Sequence, residues 1–150
     1  MSHESTKIVF ESESKEALDG LTARGYRYLG VSERRDALLG VYLRIEFENR
    51  DIGRKISLHH IPETKNRPDR LNLYFENGQG DFFSAFEYLK SQGGSPEAIS
   101  RLQIRGYAGS LKERMYSCLI ELRKLLDEAL PTVVDGKDWM EVPVDWDGYR

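Results

Sequence analysis

A chain of 150 residues, 39% hydrophobic and 31% charged, carries enough apolar side chain for one core and too much for a disordered segment. Its formal net charge of −3, with Lys and Arg interspersed among Asp and Glu, excludes the concentrated basic face that a nucleic-acid backbone demands. The longest nearly apolar run, residues 37–43, contains Gly40 and falls far short of the ~20 residues a membrane span needs. Met1-Ser2-His3-Glu4-Ser5 places no apolar stretch behind a basic end, and Cys118 is the single cysteine. The expectation is a cytoplasmic chain without a secretory signal and without an internal disulfide.

In chain order, the first regular feature is a helix over residues 14–24. Ser14 is its expected cap, Ala17, Leu18 and Leu21 share one face, and Gly25 supplies a stop. Ile8, Val9 and Phe10 read equally as a short strand or as an earlier turn of that helix. Residues 26–31 form a short aromatic run of strand character. Leu39, Val41, Leu43, Ile45 and Phe47 then alternate with Gly40, Tyr42, Arg44, Glu46 and Glu48, a period of two that puts the apolar set on one sheet face. Residues 49–53 make a turn, since Asn, Asp and Gly tolerate left-handed backbone. The chain returns with Ile56, Leu58 and His60 on one face, loops through Pro62 and Pro68, and forms another strand with Leu71, Leu73 and Phe75. The polar alternate positions predict an antiparallel meander with one wet face.

The second half reads as helical. Asp81 is the expected cap of a helix reaching about Lys90, and Ser95-Pro96-Glu97 is a second start, with proline at the first helical position. The clearest helix spans residues 110–130. Ser110 and Glu113 have capping-box spacing, and Leu111, Met115, Cys118, Leu119, Leu122, Leu125, Leu126, Ala129 and Leu130 form an apolar stripe that Pro131 terminates. The predicted fold is therefore α+β in a single domain over residues 1–150. It comprises a meander of about four strands, a leading helix, and C-terminal helices packed on one face.

A search for chemistry finds little. His59 and His60 are adjacent on a strand, so they point to opposite faces and cannot easily chelate one ion; a solvent-facing His59 and a half-buried, hydrogen-bonded His60 are expected. Gly78-Gln79-Gly80-Asp81 lacks the Gly-Lys-Ser/Thr ending of a phosphate loop and reads as a strand-to-helix turn; Gly106-Tyr107-Ala108-Gly109 reads as a helix–helix connection. Cys118 lies within an apolar stripe, where a thiol behaves as a small hydrophobe, and no serine sits in a Gly-x-Ser-x-Gly elbow. Glu46 and Glu48 share a polar strand face, a pairing too common on sheets to identify an acid and a base. No catalytic residue, metal ligand or cofactor is expected.

The tail, residues 132–150, is the one stretch of unusual composition. Five acidic and two basic side chains give it a net of −3, equal to the formal charge of the whole chain. Both tryptophans also lie there. Aromatic side chains give large contact area and carboxylates steer basic partners, so Asp138, Trp139, Glu141, Asp145, Trp146 and Asp147 are the candidate partner-binding residues. The simpler expectation, compatible with it, is that Trp139 and Val142 anchor the tail while its acids face solvent. The loop over residues 62–70, charged and long for a hairpin, is a second candidate surface.

The layout is suggestive as a whole. A leading helix reaches Gly25-Tyr26, a polar-faced meander runs through Tyr42-Leu43-Arg44-Ile45-Glu46-Phe47-Glu48-Asn49, and Leu71-Asn72-Leu73-Tyr74-Phe75-Glu76 leads into Gly80-Asp81-Phe82-Phe83 and closing helices. It resembles the small cytoplasmic immunity proteins that bacteria pair with contact-delivered (polymorphic) toxins. The resemblance covers most of the chain and rests on layout, size and mild acidity, so it carries over no functional residue. It implies a non-catalytic protein that binds and occludes a cognate toxin without a cofactor; the acidic tail suits a basic toxin domain, and the charge and apolar patterns lead to no expectation of a nucleic-acid or membrane partner. Two alternatives come from the residues themselves. One is a small-molecule or enzymatic pocket between sheet and helices, lined by Tyr26, Tyr28, Tyr42, Tyr74, His59 and Arg44; the other is a self-associating subunit.

Overall fold

Residues 3–38, 40–65 and 69–141 are described in the computed structural model. The period-two pattern builds a meander of five strands: β1 (Arg27–Asp36), β2 (Gly40–Asn49), β3 (Arg54–Ile61), β4 (Arg70–Asn77) and β5 (Phe82–Ser84). They lie side by side in chain order, each pair antiparallel. β1 runs further than its aromatic start suggests, because Ser32, Arg34 and Arg35 pair across to Arg44, Tyr42 and Val41. An edge strand may be this charged, since charge there blunts pairing with other chains. β5 is the strand the sequence hid. Asn77 Oδ1 accepts from the amides of Gln79 and Asp81, both at 2.9 Å, which closes a hairpin. Gly78-Gln79-Gly80-Asp81 is thus a strand-to-strand turn, and the following helix is capped by Ser84 instead of Asp81.

The α+β class holds, with a leading helix and C-terminal helices. α1 (His3–Ala17) is followed by the short α2 (Gly20–Ala23). Ile8, Val9 and Phe10 are helical, and Ser14 lies well inside α1, where it is fully buried and caps nothing. The buried face of α1 reads Phe10, Glu13, Ser14 and Ala17, at spacings of three, four and seven; Glu13 is reached by Lys112 at 3.7 Å. Then come α3 (Ala85–Ser91) and α4 (Pro96–Ser100), the latter capped by Ser95 as expected. A 3-10 turn over Ile104–Gly106 leads to α5 (Leu111–Lys124), where Ser110 and Glu113 form the predicted capping box. Met115, Cys118, Leu119 and Leu122 are all buried, each large side chain contributing about 1.5–3 kcal/mol before chain entropy is charged against it. The helix then loosens into a π turn over Leu125–Ala129. The wider turn shifts the phase of the stripe, so Leu126 and Leu130 stay buried while Ala129 is exposed. Pro131 begins α6 (Pro131–Val134) at its first turn, the position where a missing amide costs nothing.

These pieces make one apolar layer. Leu43, Ile45, Phe47, Ile56, Leu58, Leu71, Leu73, Phe75 and Phe83 from the sheet meet Phe10, Leu18, Met115, Cys118, Leu119, Leu122 and Leu130 from the helices and the turns that join them. Two glycines permit close approaches at its rim. Gly25 (φ +91°) lies against Asn49, whose Nδ2 donates to the Arg24 carbonyl at 3.1 Å. Gly136 (φ +78°) lies against the β2–β3 turn, where an added Cβ would sit 2.7 Å from Ile52 Cβ.

Candidate protein-binding surface

Alternation places a second set of side chains on the sheet face turned away from that core: Arg34 on β1, Tyr42, Arg44, Glu46 and Glu48 on β2, Lys55, Ser57 and His59 on β3, Asn72, Tyr74 and Glu76 on β4, and Phe82 on β5. Cross-strand register then assembles them. The rings of Tyr42, His59 and Tyr74 form a continuous row over three strands, with centroids 5.0 and 4.3 Å apart. Glu46 draws in three cations: Oε1 lies 2.8 Å from Arg44 Nε and 3.5 Å from Arg34 Nη2, and Oε2 lies 3.6 Å from Lys55 Nζ. Glu48 faces Arg50 at 3.5 Å. The two glutamates therefore serve as counter-ions in separate ion pairs. Phe82, 47% exposed, is the large apolar side chain at the β5 end of this face.

The floor of this face is dry, and Tyr42, Arg44 and Tyr74 above it are half-buried. His59 is 8% exposed and Asn72 3%, so the expectation of a solvent-facing His59 is corrected: the tyrosines of the flanking strands roof it over. Burial, with help from Arg44 and Arg34, lowers the His59 pKa from 6.5 to about 3 and keeps the ring neutral. His60, on the opposite face as its adjacency dictates, packs 5.7 Å from Phe10 and is 4% exposed. Its Nε2 finds no partner, so the hydrogen bond expected there is not formed by that atom, and burial lowers its pKa to about 4.

The tail is docked at its start. Arg54 donates from Nε to the Val133 carbonyl at 3.1 Å and from Nη2 to the Asp138 carbonyl at 2.8 Å, and its guanidinium lies 5.0 Å over the Trp139 ring. Trp139 meets Phe83 edge to face at 5.1 Å. Asp138 and Glu141 remain exposed, so an anchored tail presents acids; Val142, Asp145, Trp146 and Asp147 lie outside the described residues.

The six side chains expected to line one pocket fall on two sides of the sheet. Tyr26 donates to the Val134 carbonyl at 2.7 Å and Tyr28 to Glu11, both on the helical side. Tyr42, Tyr74, His59 and Arg44 gather on the other side. Arg34 and Glu46 complete that group; strict alternation on β2 marks Glu46, whereas only the pairing of β1 with β2 reveals Arg34. Cys118 is fully buried, and desolvation, reinforced by Asp69 and Glu121, pushes its thiol well above the usual range. Among the described residues, no three His, Cys, Asp or Glu side chains gather where they could hold a metal ion, and no helix is long and apolar enough to cross a membrane. No family model, curated protein or solved structure matches the chain.

Proposed function

We propose that this chain is a non-catalytic protein-binding module, of the kind that neutralises a cognate bacterial toxin by covering it. The observation that carries the reading is the division of labour in the sheet. Helices take one face, and the other is furnished with arginine, tyrosine and an exposed phenylalanine, residue types that concentrate binding energy at interfaces. Asp138 and Glu141 beside the anchored Trp139 add an acidic margin suited to a basic region of the partner. The test is purification of the tagged chain from its host at modest salt, followed by co-production of any 1:1 partner in a sensitive cell. Restored growth supports the reading. Absence of a stoichiometric partner, or a partner whose toxicity the chain leaves unchanged, overturns it.

A further inference from the structure

Arg44, His59 and Asn72 are consecutive partners in the register of β2, β3 and β4, and so form one row straight across the polar face. Each holds a buried polar atom with no hydrogen-bond partner: Arg44 Nε, His59 Nδ1 and Asn72 Oδ1. Glu46 lies close to Arg44 Nε but off the N–H axis, so it balances charge without accepting the bond. The other ring nitrogen of His59 is 3.5 Å from Ser57 Oγ, and Asn72 Nδ2 donates to Tyr74 Oη at 3.3 Å, so each side chain is oriented while one group stays unmet. A buried unmet group destabilises the fold, and departures of this kind from folding rules concentrate at functional sites.

Charge around the row is unbalanced in one direction. One carboxylate, Glu46, serves Arg34, Arg44 and Lys55. Lys55 also lies between Glu48 and Glu76 on the adjoining strands, so the surplus that remains is one positive charge, shared by Arg34 and Arg44 against Glu46. In the strand register Arg34 is opposite Tyr42 and Arg44 is opposite His59.

Building on the protein-binding reading above, we infer that the face over this row is the recognition site for an acidic, extended segment of the partner protein, with a carboxylate bound by Arg34 and Arg44 and the segment lying on the tyrosines that cover the row. Arginine suits this role because its planar fork matches a carboxylate, and tyrosine offers broad contact at low entropic cost. Glu46 acts as an internal competitor that holds the arginines in place until the partner's carboxylate arrives. The sign of the charge is opposite to that at the acidic tail, so the two surfaces would read different parts of one partner.

The experiment is a fluorescence-anisotropy titration of the full chain with a labelled eight-residue peptide of alternating Glu and Tyr. A Lys-for-Glu counterpart and a single-stranded oligonucleotide serve as comparisons. The acidic peptide is expected to bind, with amide shifts at Arg44, His59 and Asn72 in a nitrogen-15 spectrum. Arg34→Glu is expected to weaken binding about tenfold and Glu46→Gln to tighten it about threefold, the sizes typical of rim charges. Arg34→Gln, which cannot repel its neighbours, should weaken binding in the same direction. No binding of the acidic peptide, or binding indifferent to both Arg34→Glu and Glu46→Gln, overturns the inference. Preference for the lysine peptide overturns it while leaving the protein-binding reading intact; preference for the oligonucleotide overturns both.

Discussion

The two faces of the sheet are almost equally dry at their centres and are made of opposite materials. Toward the helices, β3 and β4 bury Ile56, Leu58, Leu71, Leu73 and Phe75, with His60 and the terminal Asn77 as polar exceptions. Toward the outside, the same strands bury Ser57, His59 and Asn72 beneath tyrosine and arginine, with Ile61 at the end of β3 as the apolar exception. The helical face is explained by folding alone, because apolar area removed from water stabilises the domain in proportion to its extent. Among the described residues, the outer face is covered by its own long side chains. Apolar burial does not account for its polar floor, and the proposed binding role rests on that feature.

The largest break in this comparison is a core truncation. Phe75→Ala, which removes the ring stacked 5.0 Å from Phe83, is expected to cost about 3–5 kcal/mol in urea unfolding. Acid comes next, because both histidine pKa values are depressed from 6.5. Above that value neither state binds a proton, so the histidines contribute no pH dependence. As pH falls below it the unfolded chain takes up protons first, and stability is lost until the folded values of about 3 and 4 are reached. At pH 5 each histidine costs about 2 kcal/mol relative to pH 7.5 by proton linkage. His60→Leu should remove about half of this histidine share of the slope; an unchanged slope would refute the assignment. Breaking the clasp on the tail comes third. Arg54→Lys keeps the charge but loses the fork to Val133 and Asp138, and about 2 kcal/mol should be lost, with Trp139 fluorescence shifting to the red. The smallest effect sharpens the contrast most: Arg34→Glu should move stability by no more than about 0.5 kcal/mol, since half-exposed rim charges contribute little to folding.

How much of this was readable beforehand depends on how local the signal was. The alternation of β2 and the Ser110–Glu113 capping box each lie within a few residues of sequence, and both appear as expected. Cys118 was placed by its neighbours at helical spacing. The failures come from partners distant in sequence. Glu13 and Ser14 sit on the core side of α1, so polar residues interrupted the apolar period, and Ser14 took on the look of a cap. The charged end of β1 has no alternation of its own and is a strand because β2 pairs with it. His59 is buried by Tyr42 and Tyr74, seventeen residues before it and fifteen after. Four members of the outer face were singled out as residues of interest, but as a pocket; their arrangement as a row needed the register of three strands.

The position of Cys118 has a practical consequence. The chain's single thiol is sealed where α5 meets the sheet, so alkylating reagents can reach it only when that contact parts. Its labelling rate is thus a clock for the opening of the domain, read without any added probe. A partner that grips only the outer face should slow that clock by the full measure of its binding while never touching the sulfur.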